Sequence, residues 1–190
     1  MKLVQRLVIA AGTGVAFAAL AAPAQAASAH NSAPATVRSD TQQSHRHLSE
    51  QDAHFLVTAH QGNLAEIAAG RVALAKSHNA EVRAIATRLI ADHLRLDAGV
   101  RSTAAAHHLA LPALPTREQR AALRAVARKS GKAFDHAWLR LQETSHVKTL
   151  ALIDQELRHG HAADVKAVAR TAKPVVKMHL EMVRAALNEH

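Results

Sequence analysis

Long stretches of helical periodicity constrain the fold of this 190-residue chain more than any other sequence feature. Apolar residues recur every three or four positions through four segments, which is the spacing of one face of an α helix. The aromatic content of only 2% favours helices packed through small side chains over a sheet. The pattern predicts an all-α fold with long helices at about 50–76, 80–107, 132–158 and 163–188.

Capping sequences and helix breakers divide these segments into two hairpins. Ser49 with Asp52, and Thr116 with Gln119, are capping boxes, the second of which opens a shorter helix that ends near Lys129. The two hairpins are therefore joined by a long crossover that contains the short helix. One long crossover between two helical hairpins is the arrangement of a ferritin-like four-helix bundle.

An internal repeat indicates that the hairpins are copies of one unit. Residues 80–86 read AEVRAIA and residues 163–169 read ADVKAVA, so every position is identical or conservatively replaced. Each segment opens the second helix of its hairpin. The repeat therefore supports two equivalent hairpins, each with its turn just before the repeated segment.

The beginning of the chain predicts export. Residues 1–26 combine a basic start, a short apolar run and a pattern of small residues at Ala24-Gln25-Ala26, as in a secretory signal peptide. Residues 27–48 have no apolar periodicity and predict a flexible linker, and residues 49–190 form the predicted folded domain. We therefore expect a periplasmic or extracellular protein after cleavage near Ala26.

Charge and cysteine content narrow the possible partners. The formal net charge is +9 and there is no cysteine, which excludes disulfides and thiolate metal sites. A basic exported protein meets anionic envelope polymers and lipid head groups, and these are the expected partners rather than nucleic acid. A homo-oligomer is compatible with the predicted fold.

Ionisable side chains interrupt the apolar stripe on each of the four long helices. Glu66 lies on the first stripe, His93 on the second, Asp135 and His146 on the third, and His179 on the fourth. Glu66 and His93 lie 14 and 13 residues from the start of the second helix in their hairpin. His146 and His179 lie 17 and 16 residues from the corresponding point. Residues equidistant from a turn face each other, so we expect two facing pairs close together.

Two arrangements would satisfy such buried groups, and the sequence leaves both open. One is a single transition-metal ion, Zn, Fe, Cu or Mn, held by imidazole and carboxylate ligands. The other is a hydrogen-bonded polar network. Di-iron bundles repeat a Glu-x-x-His motif, but this chain has one such motif, at Glu143 and His146, and no obvious general base. We therefore predict no enzymatic reaction.

Several separate motifs occur in one order along the chain. They are residues 62–67 (GNLAEI), 70–73 (GRVA), 91–93 (ADH), 130–135 (SGKAFD), His146, Pro174 and 179–180 (HL). In these motifs the chain resembles the bacterial family catalogued as domain of unknown function 4142, exported proteins often described as predicted outer membrane proteins. The resemblance covers about 50–187 and implies a ferritin-like helical fold and a location outside the cytoplasm. Its matched positions include Glu66, His93, Asp135, His146 and His179, while Trp138 stands where the family commonly has tyrosine.

The sequence thus leads to two functional hypotheses. The first is an exported, metal-binding bundle protein of the cell envelope. The alternative is a non-catalytic structural or interaction bundle with a hydrogen-bonded polar core. Either way, inward histidines must gain protons on acidification, so we expect stability to fall between neutrality and about pH 5.

Overall fold

The computed structural model describes residues 48–189, which form five α helices and no strand. The helices are α1 (Glu50–Lys76), α2 (Ala80–Ala106), α3 (Arg117–Ala127), α4 (Gly131–His159) and α5 (Ala163–Glu189). The all-α prediction is confirmed for this part of the chain. The predicted signal peptide and all but the last residue of the predicted linker lie outside the described residues. Within the described range, no helix has the length and apolarity needed to cross a membrane.

The predicted capping sequences begin their helices. The Ser49 hydroxyl accepts a hydrogen bond from the Asp52 amide at 3.1 Å, and Asp52 bonds back to Ser49, which completes the capping box. The Thr116 hydroxyl and the Gln119 amide are likewise 3.1 Å apart at the start of α3. Such caps satisfy amide groups that have no partner inside the helix.

The four long helices pack around a common interior. Short turns join α1 to α2 and α4 to α5, and α1 also contacts α4 while α2 contacts α5. The crossover helix α3 contacts α1 and α4. The chain therefore places one face of every long helix toward the same central space.

Two apolar clusters occupy this interior, with polar side chains between them along each helix. Cluster I contains Leu89, Phe134 and Trp138, and cluster II contains Phe55 and Ile153, with their neighbours. Every long helix runs from one cluster to the other and carries buried polar residues in between. We call these residues the polar layer; they are His60, Asn63 and Glu66 on α1, Asp92, His93 and Asp97 on α2, Gln142 and His146 on α4, and His179 on α5.

Trp138 fixes the contact between α1 and α4. Its ring is fully buried in cluster I, and its indole N–H donates to the carbonyl oxygen of Ala69 at 2.9 Å. A buried indole needs an acceptor, and the neighbouring helix backbone provides it. Trp138 is therefore a packing residue that links two helices next to the polar layer.

Candidate metal centre

Three histidines from three helices converge in the polar layer. His93, His146 and His179 are buried, and their ring centroids lie 5.3–5.6 Å apart. Each offers one ligand atom, and these atoms all lie within 4.8 Å of one another. Among the described histidine and carboxylate side chains, these three have ligand atoms close enough together to hold one metal ion.

The outer nitrogens of two of these rings are held by oxygen acceptors. His146 Nδ1 lies 2.8 Å from the carbonyl oxygen of Gln142, one turn earlier in α4. His179 Nε2 lies 3.0 Å from Oδ2 of Asp92, across the interior on α2. Because a carbonyl and a carboxylate only accept, these two ring nitrogens carry the hydrogens in the neutral imidazoles.

The inner nitrogens of the same rings consequently carry lone pairs that face each other. His146 Nε2 lies 3.4 Å from His179 Nδ1. With both outer nitrogens donating, neither inner nitrogen holds a hydrogen to place between them. The prediction that His146 and His179 face each other is confirmed, and their inner nitrogens have the spacing of two ligands of one metal ion.

His93 completes the trio in the same manner. Its Nδ1 lies 2.9 Å from Oδ1 of Asn63 on α1, which fixes the hydrogen on that nitrogen. Its Nε2 has no hydrogen-bond partner within residues 48–189. A ring oriented by an outer acceptor, with the other nitrogen free, is the usual state of a metal-ligating histidine.

Burial keeps the three rings neutral. Burial lowers the pKa of His146 to about 4, although its hydrogen bond to the Gln142 carbonyl opposes the shift. Burial and the neighbouring imidazoles hold the pKa of His93 well below its ordinary value. Burial also lowers the pKa of His179, against the opposing influence of Asp92. All three imidazoles are therefore unprotonated near neutral pH, as metal ligation requires.

Asp92 connects the trio to the protein surface. Its carboxylate accepts from His179 Nε2, from Arg88 Nε and from Arg95 Nη1, the last at 2.9 Å. Burial raises the pKa of Asp92, but the hydrogen bonds from Arg88 and His179 outweigh it, so the pKa lies below its ordinary value. The carboxylate is thus ionised, and it orients the His179 ring and increases the basicity of that ring.

The two predicted carboxylates lie outside the histidine trio. Glu66 is buried, and burial raises its pKa to about 8 despite a hydrogen bond with Ser145. Asp135 is also buried, and its Oδ1 has no hydrogen-bond partner in the described part of the chain. Glu66 and His93, predicted to face each other, line one cavity. The structure thus brings together three of the five predicted site residues.

Sequence reasoning did not identify three polar partners in this region. Asp92 directly precedes His93. Two arginines flank Asp92 at helical spacing, Arg88 four residues before it and Arg95 three residues after it. Asn63 lies three residues before Glu66 on the same helical face, which is a detectable signal. His60 lies three residues earlier still.

His60 joins the long crossover to the first hairpin. Its Nδ1 lies 2.6 Å from Oδ1 of Asp97, and its Nε2 lies 3.0 Å from the carbonyl oxygen of Pro112. Both ring nitrogens therefore face oxygen acceptors, so this ring offers no free lone pair. His60 therefore has a structural role and does not belong to the histidine trio.

Comparisons with known proteins agree with this fold. The crystal structure of a DUF305 fragment from Deinococcus radiodurans is similar, with a TM-score of 0.68 and 13% identity. The alignment covers 75% of this chain and 99% of the fragment. At that identity the likeness concerns the helical fold alone. A comparison with curated proteins finds no match.

A family comparison covers a larger part of the sequence and includes all of the polar layer. The matched residues are 37–186, which extend from before α1 to near the end of α5. Because this match spans most of the sequence, the chain belongs to the family described as Domain of unknown function (DUF4142).

Proposed function

We propose that this protein binds a single transition-metal ion through His93, His146 and His179. The observation that supports this most strongly is the 3.4 Å approach of His146 Nε2 and His179 Nδ1. Two lone pairs pointing at each other repel, and a cation between them removes that repulsion. The unpartnered Nε2 of His93 supplies a third donor to the same space.

The donor set favours some metals over others. Three neutral imidazoles without thiolate suit Zn²⁺, Cu²⁺ and Fe²⁺, whereas Mn²⁺ prefers carboxylate and water oxygen. Glu66 and Asp135 lie outside the trio and would join the site only after side-chain movement. We therefore rank zinc and copper first, and we assign the site to metal binding rather than to catalysis.

We infer that the four long helices form a ferritin-like four-helix bundle, which the two hairpins and the ring of helix contacts support.

The cellular setting is a further part of the proposal. The sequence of residues 1–26 supports export to the periplasm or beyond. The net charge of +9 supports attraction to anionic envelope polymers or lipid head groups.

Metal analysis of untagged protein tests the proposal. Purified protein loaded with Zn²⁺ or Cu²⁺ and then desalted should retain about one equivalent, measured by mass spectrometry of the metal. A His146→Ala, His179→Ala double variant should lose it. Two exposed histidines provide the matched control, His159→Ala with His161→Ala.

Because a variant could lose metal merely by failing to fold, metal binding is also measured on the wild type itself. Co²⁺ bound to the wild type should give the visible absorption of nitrogen-coordinated cobalt. Retention of metal by the core double variant, or its loss in the surface double variant, would contradict the proposal. So would a wild type that retains less than a tenth of an equivalent.

A second candidate function is a structural or interaction bundle with a hydrogen-bonded polar core. The outer nitrogen of each histidine already has an acceptor in Asn63, Gln142 or Asp92, which favours this reading. In that case a single proton shared between His146 and His179 would replace the metal. A melting temperature unaffected by any added transition metal would favour this alternative.

A further inference from the structure

A cavity of about 350 Å³ lies beside the histidine trio, inside the helical domain. Side chains from all five helices line it, so it occupies the common interior rather than a surface groove. Its volume falls in the range of small-molecule sites in proteins. Exposed Glu118 and Lys148 also line it, so the cavity reaches the surface where α3 crosses α1 and α4.

Small residues on α1 create this space. Ala59, Gly62 and Ala65 line the cavity at successive turns, where larger side chains would fill it. A Cβ atom added at Gly62 would meet no atom within 4 Å. Glycine inside a helix lowers stability relative to alanine, so helix formation does not explain Gly62. An open cavity does.

Two buried polar side chains that line the cavity carry atoms without hydrogen-bond partners. Gln142 is fully buried, and neither its Nε2 nor its Oε1 has a partner among residues 48–189. Glu66 is also buried, and its Oε2 has no partner in the same range. Buried polar groups in native proteins are nearly always satisfied, so these atoms point to a bound group.

The rest of the lining is mostly apolar, and the charges at its outer end are balanced. Phe55, Leu96, Val100 and Ile153 are among the lining residues, and the outer Glu118 and Lys148 carry opposite charges. Burial favours the neutral form of Glu66, which in that form donates a hydrogen bond. A charged ligand would lose its hydration here without gaining a partner of opposite charge.

We propose that this cavity binds a neutral, largely apolar small molecule with one carbonyl group, and that Gln142 and the Glu66 carboxyl hold that carbonyl. The amide of Gln142 and the carboxyl of Glu66 donate to the carbonyl oxygen, and the aliphatic or aromatic body fills the space beside Phe55 and Ile153. Binding of this ligand requires no metal, so the inference stands apart from the proposed function.

Fluorescence titration with prodan, a neutral naphthalene that carries one ketone, tests this inference on EDTA-treated full-length protein. Prodan should bind saturably at one site with a blue-shifted emission. Gly62→Leu should reduce its affinity by about tenfold or more, because the leucine side chain enters the cavity. Gly99→Leu is the matched control, since Gly99 is also helical, also has no atom within 4 Å of an added Cβ, and lies outside this cavity.

Competition and a second variant test the head group. Methyl octyl ketone should displace prodan, and decanoate, of the same chain length but charged, should not. Gln142→Leu should weaken prodan binding without lowering the melting temperature. Equal binding by folded Gly62→Leu and wild type would overturn the cavity assignment. Displacement by decanoate, or undiminished binding by Gln142→Leu, would overturn the assigned chemistry.

Discussion

The Nε2 atom of His146 lies 3.4 Å from Nδ1 of His179, and both atoms carry lone pairs because the opposite nitrogen of each ring donates to oxygen. Such a pair is unfavourable in an apolar interior unless a cation lies between the rings. His146 is held by its own helix, whereas His179 is held by Asp92 on another helix. Perturbing Asp92 therefore affects the site without removing a ligand.

Replacing Asp92 should weaken metal binding while leaving all three histidines in place. Asp92→Ala removes the acceptor that orients His179, and loss of such a partner typically costs about 10–100-fold in metal affinity. Competition with a chromophoric chelator measures the affinity. Asp154→Ala is a suitable control, because Asp154 pairs with Lys173 at the surface. Equal losses in the two variants would contradict the role given to Asp92.

Acidification should destabilise the metal-free protein. An unfolded histidine titrates near pH 6.5, and burial lowers the pKa of folded His146 to about 4. Between these values the unfolded chain binds a proton that the folded chain does not, so stability falls as pH decreases. This shift alone corresponds to about 3 kcal/mol, and the lowered pKa values of His93 and His179 act in the same direction.

Urea unfolding at a series of pH values between about 7 and 4 measures this dependence. A bound metal should move this loss of stability to lower pH, because protons must then compete with the ion for the imidazoles. A free energy of unfolding that stays constant across this range in the metal-free protein would show that the three rings titrate normally. That result would contradict the buried, neutral state of the trio.

Glu66 should have the opposite pH dependence. Burial raises its folded pKa to about 8 from an ordinary 4.5, so the unfolded chain releases a proton that the folded chain keeps. Stability from this group is complete below the ordinary value and is lost as pH rises toward 8. Relative to wild type, Glu66→Gln should gain stability by up to about 1.4 kcal/mol per pH unit between about 6.5 and 8.

The matched control for Glu66 is Glu143→Gln. Hydrogen bonds from Arg184 and Arg140 lower the pKa of Glu143, so it is ionised in both folded and unfolded chains across this window. Its variant should therefore keep a constant offset from wild type. Parallel pH profiles for the Glu66 variant and wild type, measured by urea unfolding, would refute the neutral buried carboxyl.

Gly70 and Gly99 should respond oppositely to alanine. A Cβ at Gly70 would lie 2.6 Å from Cγ1 of Ile90 and 3.1 Å from the Ala86 carbonyl oxygen, because α1 and α2 approach closely there. Gly70→Ala should destabilise by about 1–3 kcal/mol through overpacking. Gly99→Ala meets no atom within 4 Å and should stabilise by about 0.5–1 kcal/mol. Thermal unfolding checks the signs, and equal signs would contradict the close approach.

Sequence patterns within one helix or hairpin were sufficient to predict the helices and part of the site. The capping boxes at Ser49 and Thr116 depend on residues three positions apart, so the sequence predicts them directly. The facing of His146 and His179 followed from their distances to one turn. Both features need only helical geometry, which is the same in every protein.

Contacts between hairpins could not be obtained in this way. Asp92 directly precedes His93 and lies about 100° from it around α2, which places Asp92 at the edge of the stripe, yet it reaches His179 on α5. That contact depends on how the two hairpins dock. Glu66 shows the same limit, because it lines the same cavity as His93 but lies outside the histidine trio.

The polar layer between the two apolar clusters also has a consequence for helix alignment. Apolar side chains tolerate sliding of one helix along another, because leucine, valine and alanine make comparable contacts at several offsets. A displacement of one helical turn, about 5.4 Å, would break the bonds of His179 to Asp92 and of His93 to Asn63 and leave their atoms unsatisfied. We therefore expect the clusters to supply most of the stabilising free energy, and the layer to select a single vertical register for the four helices.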